Sequence, residues 1–180
     1  FAVNAGNGGD GNGIGEGGVG GAAQTIKITA GRISGATSVA SGAGGDSGIY
    51  LRSYPQVQLW DPANPRELKN GADKGSGGLW NNNPDNPGRW PLVKADNPIG
   101  EWNALAIKMV GTRVWVTLNG KPVVVGQVLD NFFDRAQPVL PTGSIELQTH
   151  GSEVRFRRIY VRDIPEAERK ALLATVTAAK

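Results

Sequence analysis

An all-β sandwich or barrel is the fold class that this sequence predicts, and three observations predict it. Short runs alternate apolar and polar residues with a period of two, from Thr25-Ile26-Lys27-Ile28-Thr29 to Val154-Arg155-Phe156-Arg157. Turn residues separate the runs, and Asn119-Gly120 between Leu118 and Lys121 is a hairpin signal because both residues accept positive φ. A helical apolar pattern occurs only at the C-terminal end, in Ala171, Leu172, Leu173 and Val176. Many short strands with one terminal helix are the signature of a sandwich or barrel.

Composition narrows the function. A length of 180 residues fits one domain. The 19 Lys and Arg exceed the 16 Asp and Glu by a net charge of +3, too little and too scattered to mark a nucleic-acid or anionic-membrane partner. The absence of Cys excludes a disulfide framework, a thiolate metal site and a Cys nucleophile. A single His, His150, excludes poly-His zinc sites and makes any His-dependent mechanism hang on one residue. No apolar run approaches the ~20 residues that span a bilayer. No cofactor and no metal site is expected.

The elements follow in order. Residues 1–24 form a low-complexity arm: ten of the 27 Gly fall within the first 21 residues and fifteen within the first 45, whereas all five Trp lie after Tyr50. Gly loses the most freedom on ordering, so such a segment is ordered only where a groove, a neighbouring subunit or a sheet edge holds it. Phe1, Val3, Ile14 and Val19 are its anchors. Within it, Asp10-Gly11-Asn12-Gly13 resembles Gly/Asp calcium-binding repeats without a second copy, which leaves calcium open. A chain that opens on Phe with no charged-then-apolar leader matches a mature secreted or cell-surface protein.

The sandwich is expected over 25–163. Its strands are Thr25–Thr29, a weaker run Ile33–Ala40, Ile49–Arg52, Val57–Trp60, Glu101–Val110, Arg113–Leu118, Val123–Leu129, Ser144–His150 and Val154–Val161. A long Asn/Pro/Gly loop fills Asp61–Gly100. Over 164–180, Asp163 can cap, Pro165 suits a first helical turn, and Glu166 and Glu168 favour the positive end of a helix reaching about residue 178.

A series of motifs then carries a family resemblance: Asp46-Ser47-Gly48-Ile49-Tyr50-Leu51-Arg52, Gln56-Val57-Gln58-Leu59-Trp60-Asp61, Gly77-Gly78-Leu79-Trp80, Pro91 to Asp96, Gly100-Glu101-Trp102-Asn103, Leu118-Asn119-Gly120, and Ile145 to Gly151 followed by Val154 to Arg157. In order and spacing, from about 45 to 163, the chain resembles the 3-keto-disaccharide hydrolase domain, a concanavalin-like jelly roll. The resemblance implies a two-sheet sandwich whose concave face handles sugars. The front half departs from it, since the family opens with aromatic strands where this chain is small and Gly-rich. An edge left incomplete there would invite a strand from another chain, and a neighbour's arm is a natural candidate.

Alternation puts Glu146, Gln148 and His150 on one face, and likewise Gln56, Gln58 and Trp60, Tyr50 and Arg52, and Arg113, Trp115 and Thr117. Such groups suit sugars, because amides and carboxylates pair with hydroxyls and an indole covers a pyranose; they also suit an ordinary wet sandwich face. Trp80, Trp90 and Trp102 flank loop sequence and are candidates to line a cleft, with Trp102 also a core candidate. For elimination from a 3-keto sugar, His150 is the candidate base or acid, Glu146 or Asp61 its partner, and Arg52 the group that polarises the keto oxygen. Gln56, Gln58, Trp60, Gln148 and Trp80 are the candidate sugar contacts. Many relatives carry Glu where this chain has Gln56, which points to a binder or scaffold if that acid is essential. Three functions follow: a secreted carbohydrate-active jelly roll, a catalytically silent subunit of an extracellular filament or other homopolymer held by its arm, and a carbohydrate-binding module.

Overall fold

The computed structural model describes residues 2–4, 25–26, 33–41, 46–149 and 154–177. Among the described residues, ten strands form two antiparallel sheets. One has six strands in the order β1 (Ala2–Asn4), β10 (Val154–Arg157), β3 (Ile33–Ser41), β6 (Trp102–Val110), β7 (Arg113–Leu118) and β8 (Lys121–Val128). The other has four, in the order β2 (Thr25–Ile26), β9 (Ile145–Gln148), β4 (Asp46–Leu51) and β5 (Tyr54–Trp60). The expected sandwich is present.

Period-two alternation builds the core. Leu105, Ile107 and Met109 of β6 stand opposite Leu118, Val116 and Val114 of β7, all buried on one face. Ile49, Leu51, Val57, Leu59, Ile145 and Leu147 of the four-stranded sheet meet them in one cluster with Val154 and Phe156. The β7–β8 turn is the Asn119-Gly120 pair at φ 50 and 78, the two positive values a two-residue hairpin needs. Asn119 also donates to Ala95 O and Asn103 Oδ1, both at 2.7 Å, tying the long loop to the hairpin.

The chain guards its long edges. Loop residues run beside β5: Gly77 N donates to Gln58 O at 2.7 Å and Gln58 N to Gly78 O at 2.9 Å. On β8, Leu92 N donates to Val123 O at 2.8 Å. Within the loop expected over Asp61–Gly100 lie a one-turn helix, α1 (Pro65–Leu68), and two 3-10 turns at Ala72–Lys74 and Pro87–Arg89.

The terminal helix, α2 (Glu166–Thr177), packs on the outer face of the six-stranded sheet. Leu172 and Val176 join Val110, Trp115, Val125 and the fully buried Ile164. So the Arg113, Trp115 and Thr117 face is not an open one. Trp115 is buried under α2 and donates to Thr175 Oγ1 at 3.3 Å. Trp102, a core candidate by sequence, instead stands half-buried outside the core with the Arg157 guanidinium 3.8 Å over its ring.

Two strand ends differ from the alternation. Arg52 and Ser53, expected to continue the strand and to follow it, are the central residues of the β4–β5 turn at φ 56 and 67. Neither residue type advertises positive φ, which is why the strand reads on to Arg52. Arg158 at φ 53 ends β10 well before Val161. Within the arm, Ala2–Asn4 forms a three-residue strand on β10.

Candidate functional site

The outer face of the four-stranded sheet gathers most of the sequence candidates. From β9 come Glu146 and Gln148, from β4 Asp46, Gly48 and Tyr50, and from β5 Gln56, Gln58 and Trp60. Tyr50 lies opposite Glu146, and Gly48 lies between Gln148 on one side and Gln58 on the other. Gly48 lets the middle of the face be shallow. A Cβ there would stand 2.6 Å from Cδ and Oε1 of Gln56 and 2.9 Å from Val57 O.

A directed chain of hydrogen bonds crosses this face. Asp46 Oδ1 accepts from Gln58 Nε2 at 2.5 Å, and Gln58 Oε1 accepts from Gln56 Nε2 at 2.5 Å. A carboxylate only accepts, so Asp46 sets the orientation of the Gln58 amide, which then sets that of Gln56. The chain therefore ends on a carbonyl oxygen. Gln56 Oε1 is buried and accepts no hydrogen bond from any of the described residues, and the same is true of Gln148 Oε1. Leaving such an acceptor unmet costs about 1–3 kcal/mol, and native folds keep few of them. Beside them Tyr50 is held neutral: burial, then the charges of Glu146 and Asp46, push its phenol pKa up.

Gln56, Gln58 and Trp60 are nearly inaccessible, not the wet face that alternation alone would give. Trp60 stacks edge-on against Trp80 at 5.3 Å, and Trp80 lies 5.1 Å from Trp90. Arg89 sits 4.0 Å over the Trp80 ring and Lys74 3.5 Å over Trp90. A cation thus covers one face each of Trp80 and Trp90, and the three packed indoles brace the long loop against β5.

Asp61, just past β5, is buried and turned to local work: its Oδ1 accepts from Ala63 N at 2.8 Å and its carbonyl from Asn64 N at 3.3 Å. Arg52 is not on the outer face. The positive φ of the turn sends its guanidinium toward the other sheet, where it donates to Gly111 O at 2.7 Å and Leu140 O at 3.3 Å. There it lines a cleft of about 490 Å³ with Val110, Pro138, Val139, Pro141 and Arg169. Burial lowers its pKa from the usual arginine value. His150 lies outside the described residues, as does the Asp10-Gly11-Asn12-Gly13 stretch. Among the described residues no group of three or more His, Cys, Asp or Glu is placed to hold a metal ion. Asp46, absent from the sequence candidates, orders the face; its parity with Gly48 and Tyr50 was the signal.

The chemistry this arrangement offers is recognition of hydroxyls, with a half-buried carboxylate, Glu146, beside a neutral phenol. A family model described as a 3-keto-alpha-glucoside-1,2-lyase-like domain matches residues 27–162. The chain belongs to this family. Three solved structures from Parabacteroides distasonis ATCC 8503, each described as a candidate glycosyl hydrolase, share its fold. The first has 20% identity and a TM-score of 0.61, covering 81% of this chain and 85% of that one. The second has 20% identity and a TM-score of 0.57, covering 78% and 76%. The third has 21% identity and a TM-score of 0.56, covering 78% and 67%. The search of curated proteins gave no match. The 3-keto-alpha-glucoside-1,2-lyase-like match stops before α2 and begins after Ile26, so the arm and the terminal helix both lie beyond it.

Proposed function

We propose that this domain binds a glycoside on the outer face of its four-stranded sheet, through side-chain amides that accept hydrogen bonds from sugar hydroxyls. The observation that carries the reading is the Asp46–Gln58–Gln56 chain, which leaves Gln56 Oε1, together with Gln148 Oε1, as buried acceptors with no donor among the described residues. A polyol supplies the missing donors, and the family match supports the ligand class. Because both oxygens are closed to bulk water, binding displaces side chains at this face. Glu146 and His150 are the groups proposed for turnover, and a secreted or cell-surface setting belongs to the same proposal. Titration calorimetry with a 3-keto-disaccharide and its parent disaccharide, followed by product analysis, tests it. Affinity lost in Gln148→Ala without product marks a binding module. Product formation lost in Glu146→Gln marks an enzyme. No affinity for either sugar overturns the reading.

A second reading, self-association through residues 1–24, is favoured by one observation: part of that segment, Ala2–Asn4, is an edge strand of the six-stranded sheet.

A further inference from the structure

We propose that the edge of β10 is an acceptor site for the Ala2–Asn4 strand of a second copy of this chain. The proposal rests on the self-association reading and names the surface and the register that it would use.

The pairing is antiparallel, with Ala2 opposite Arg157, Val3 opposite Phe156 and Asn4 opposite Arg155. On its other side β10 is held by β3 over Ser38–Ser41. The strand that completes the edge thus comes from the far end of the chain and is only three residues long. Loop backbone from the same region of the chain meets the edges of β5, at Gly77 and Gly78, and of β8, at Leu92, whereas the strand on β10 is remote in sequence from the strand it pairs with. Main-chain pairing carries no record of which molecule supplied the strand, and β-augmentation uses this kind of edge.

The connection permits exchange. Twenty residues, 5–24, separate β1 from β2, and ten of them are Gly. A Gly-rich sequence of that length has a coil span of about 25 Å and an extended reach of roughly 70 Å. A domain of this size has a radius of gyration of about 16 Å, so a neighbour's β10 lies within reach. The tether gives the chain's own β1 an effective concentration in the millimolar range at that edge. Exchange therefore takes over when chains are concentrated to about that range or confined side by side. Reciprocal exchange closes a dimer, and one-way donation extends a polymer.

The chain has no Cys, so introduced cysteines report cleanly. Full-length Asn4→Cys and full-length Arg155→Cys are mixed under an added oxidant, from micromolar to millimolar concentration, with Asn4→Cys plus Lys121→Cys on β8 as the misplaced pair. The expected result is a heterodisulfide between positions 4 and 155 of two chains, identified by peptide mapping of the species of twice 18.9 kDa, increasing with concentration in the first mixture and with no 4–121 counterpart in the second. The double variant Asn4→Cys/Arg155→Cys then gives an intrachain bond when dilute and a ladder when concentrated. An intrachain bond at every concentration, with no mixed pair, overturns the proposal. If light scattering shows assembly while the mixed pair stays absent, this edge is wrong and self-association stands. If the chain neither cross-links nor assembles, both fail.

Discussion

Gly48 is the residue on which the proposed sugar face turns. Gly48→Ala would press a methyl group to 2.6 Å from the Gln56 amide and 2.9 Å from the Val57 carbonyl, and only the first can swing away. The expected outcome is a loss of about 1–3 kcal/mol, the range for overpacking, with loss of glycoside affinity in calorimetry. Tyr50 makes a separate prediction. Its phenol keeps its proton in the folded chain above the ordinary value of 10.0, whereas the unfolded chain releases it there. Stability is therefore unaffected below pH 10 and declines as pH rises from the unfolded value through the folded one. Tyr50→Phe should lack that part of the alkaline decline in a denaturation series. At this scale the sequence was half legible: alternation grouped Gln56 with Gln58 and Glu146 with Gln148, and the strand pairing brought the two groups to one face. The sequence could not show that Asp46 orients Gln58 and, through it, Gln56, because that depends on a cross-strand register. Nor could it show Arg52 leaving the face, because the turn that sends it away has no Gly or Asn to announce it.

Among the elements, α2 owes its seat to an absence in β8. A Cβ on Gly126 would lie 1.9 Å from Cγ1 of Val176, and the residue sits at φ +61. Gly126→Ala therefore has both a clash and a left-handed backbone against it, the latter alone worth about 1–2 kcal/mol. Hydrogen exchange should speed up across α2 while the amides of β6 and β7 stay protected, and Trp115 fluorescence should report exposure. The charged edge of the same helix responds to acid. Glu168 accepts from Lys108 at 2.9 Å and Arg162 at 2.8 Å, and these contacts lower its pKa from 4.5. That support is present above the unfolded value and is lost as pH falls through the folded one. Glu168→Gln should flatten the acid limb of α2 melting, and by a small amount, since the pair is solvent-screened. The helix and its apolar face were legible from Leu172 and Val176, but the partner was not: Trp115 and Gly126 are remote in sequence. Strands such as β6 and β7 were legible because their buried residues alternate with more exposed ones. Ala2–Asn4 escaped notice because a three-residue edge strand is too short for any period to show.

For the molecule as a whole, the two sheets are joined at one end by Arg52, and the fate of that arginine separates structure from function. It lies four residues beyond Gly48, about 13 Å along the strand direction. Its guanidinium faces the β6–β7 turn of the other sheet, donating to Gly111 O and Leu140 O while nearly fully buried. The turn that carries it is braced independently, by Ser53 N to Ser144 O at 2.8 Å and Ser144 N to Ser53 Oγ at 3.2 Å. So Arg52 is a latch between sheets set into a turn that holds its own shape. Hydrogen bonds of charged groups contribute about 1.5–3 kcal/mol each, so Arg52→Met should destabilise by roughly 2–4 kcal/mol once the lost pair is partly offset by apolar contact. For a domain of this length that corresponds to a Tm lower by about 4–16 °C. Arg52→Lys keeps the charge without the fork and should fall between. Neither substitution should change glycoside affinity measured well below the new Tm, because the Asp46–Gln58–Gln56 chain lies on the opposite face of the sheet. Affinity lost in Arg52→Lys with the Tm unchanged would instead make Arg52 a ligand contact, in keeping with its candidate role at a keto oxygen, and would move the sugar site to the cleft beside Arg169.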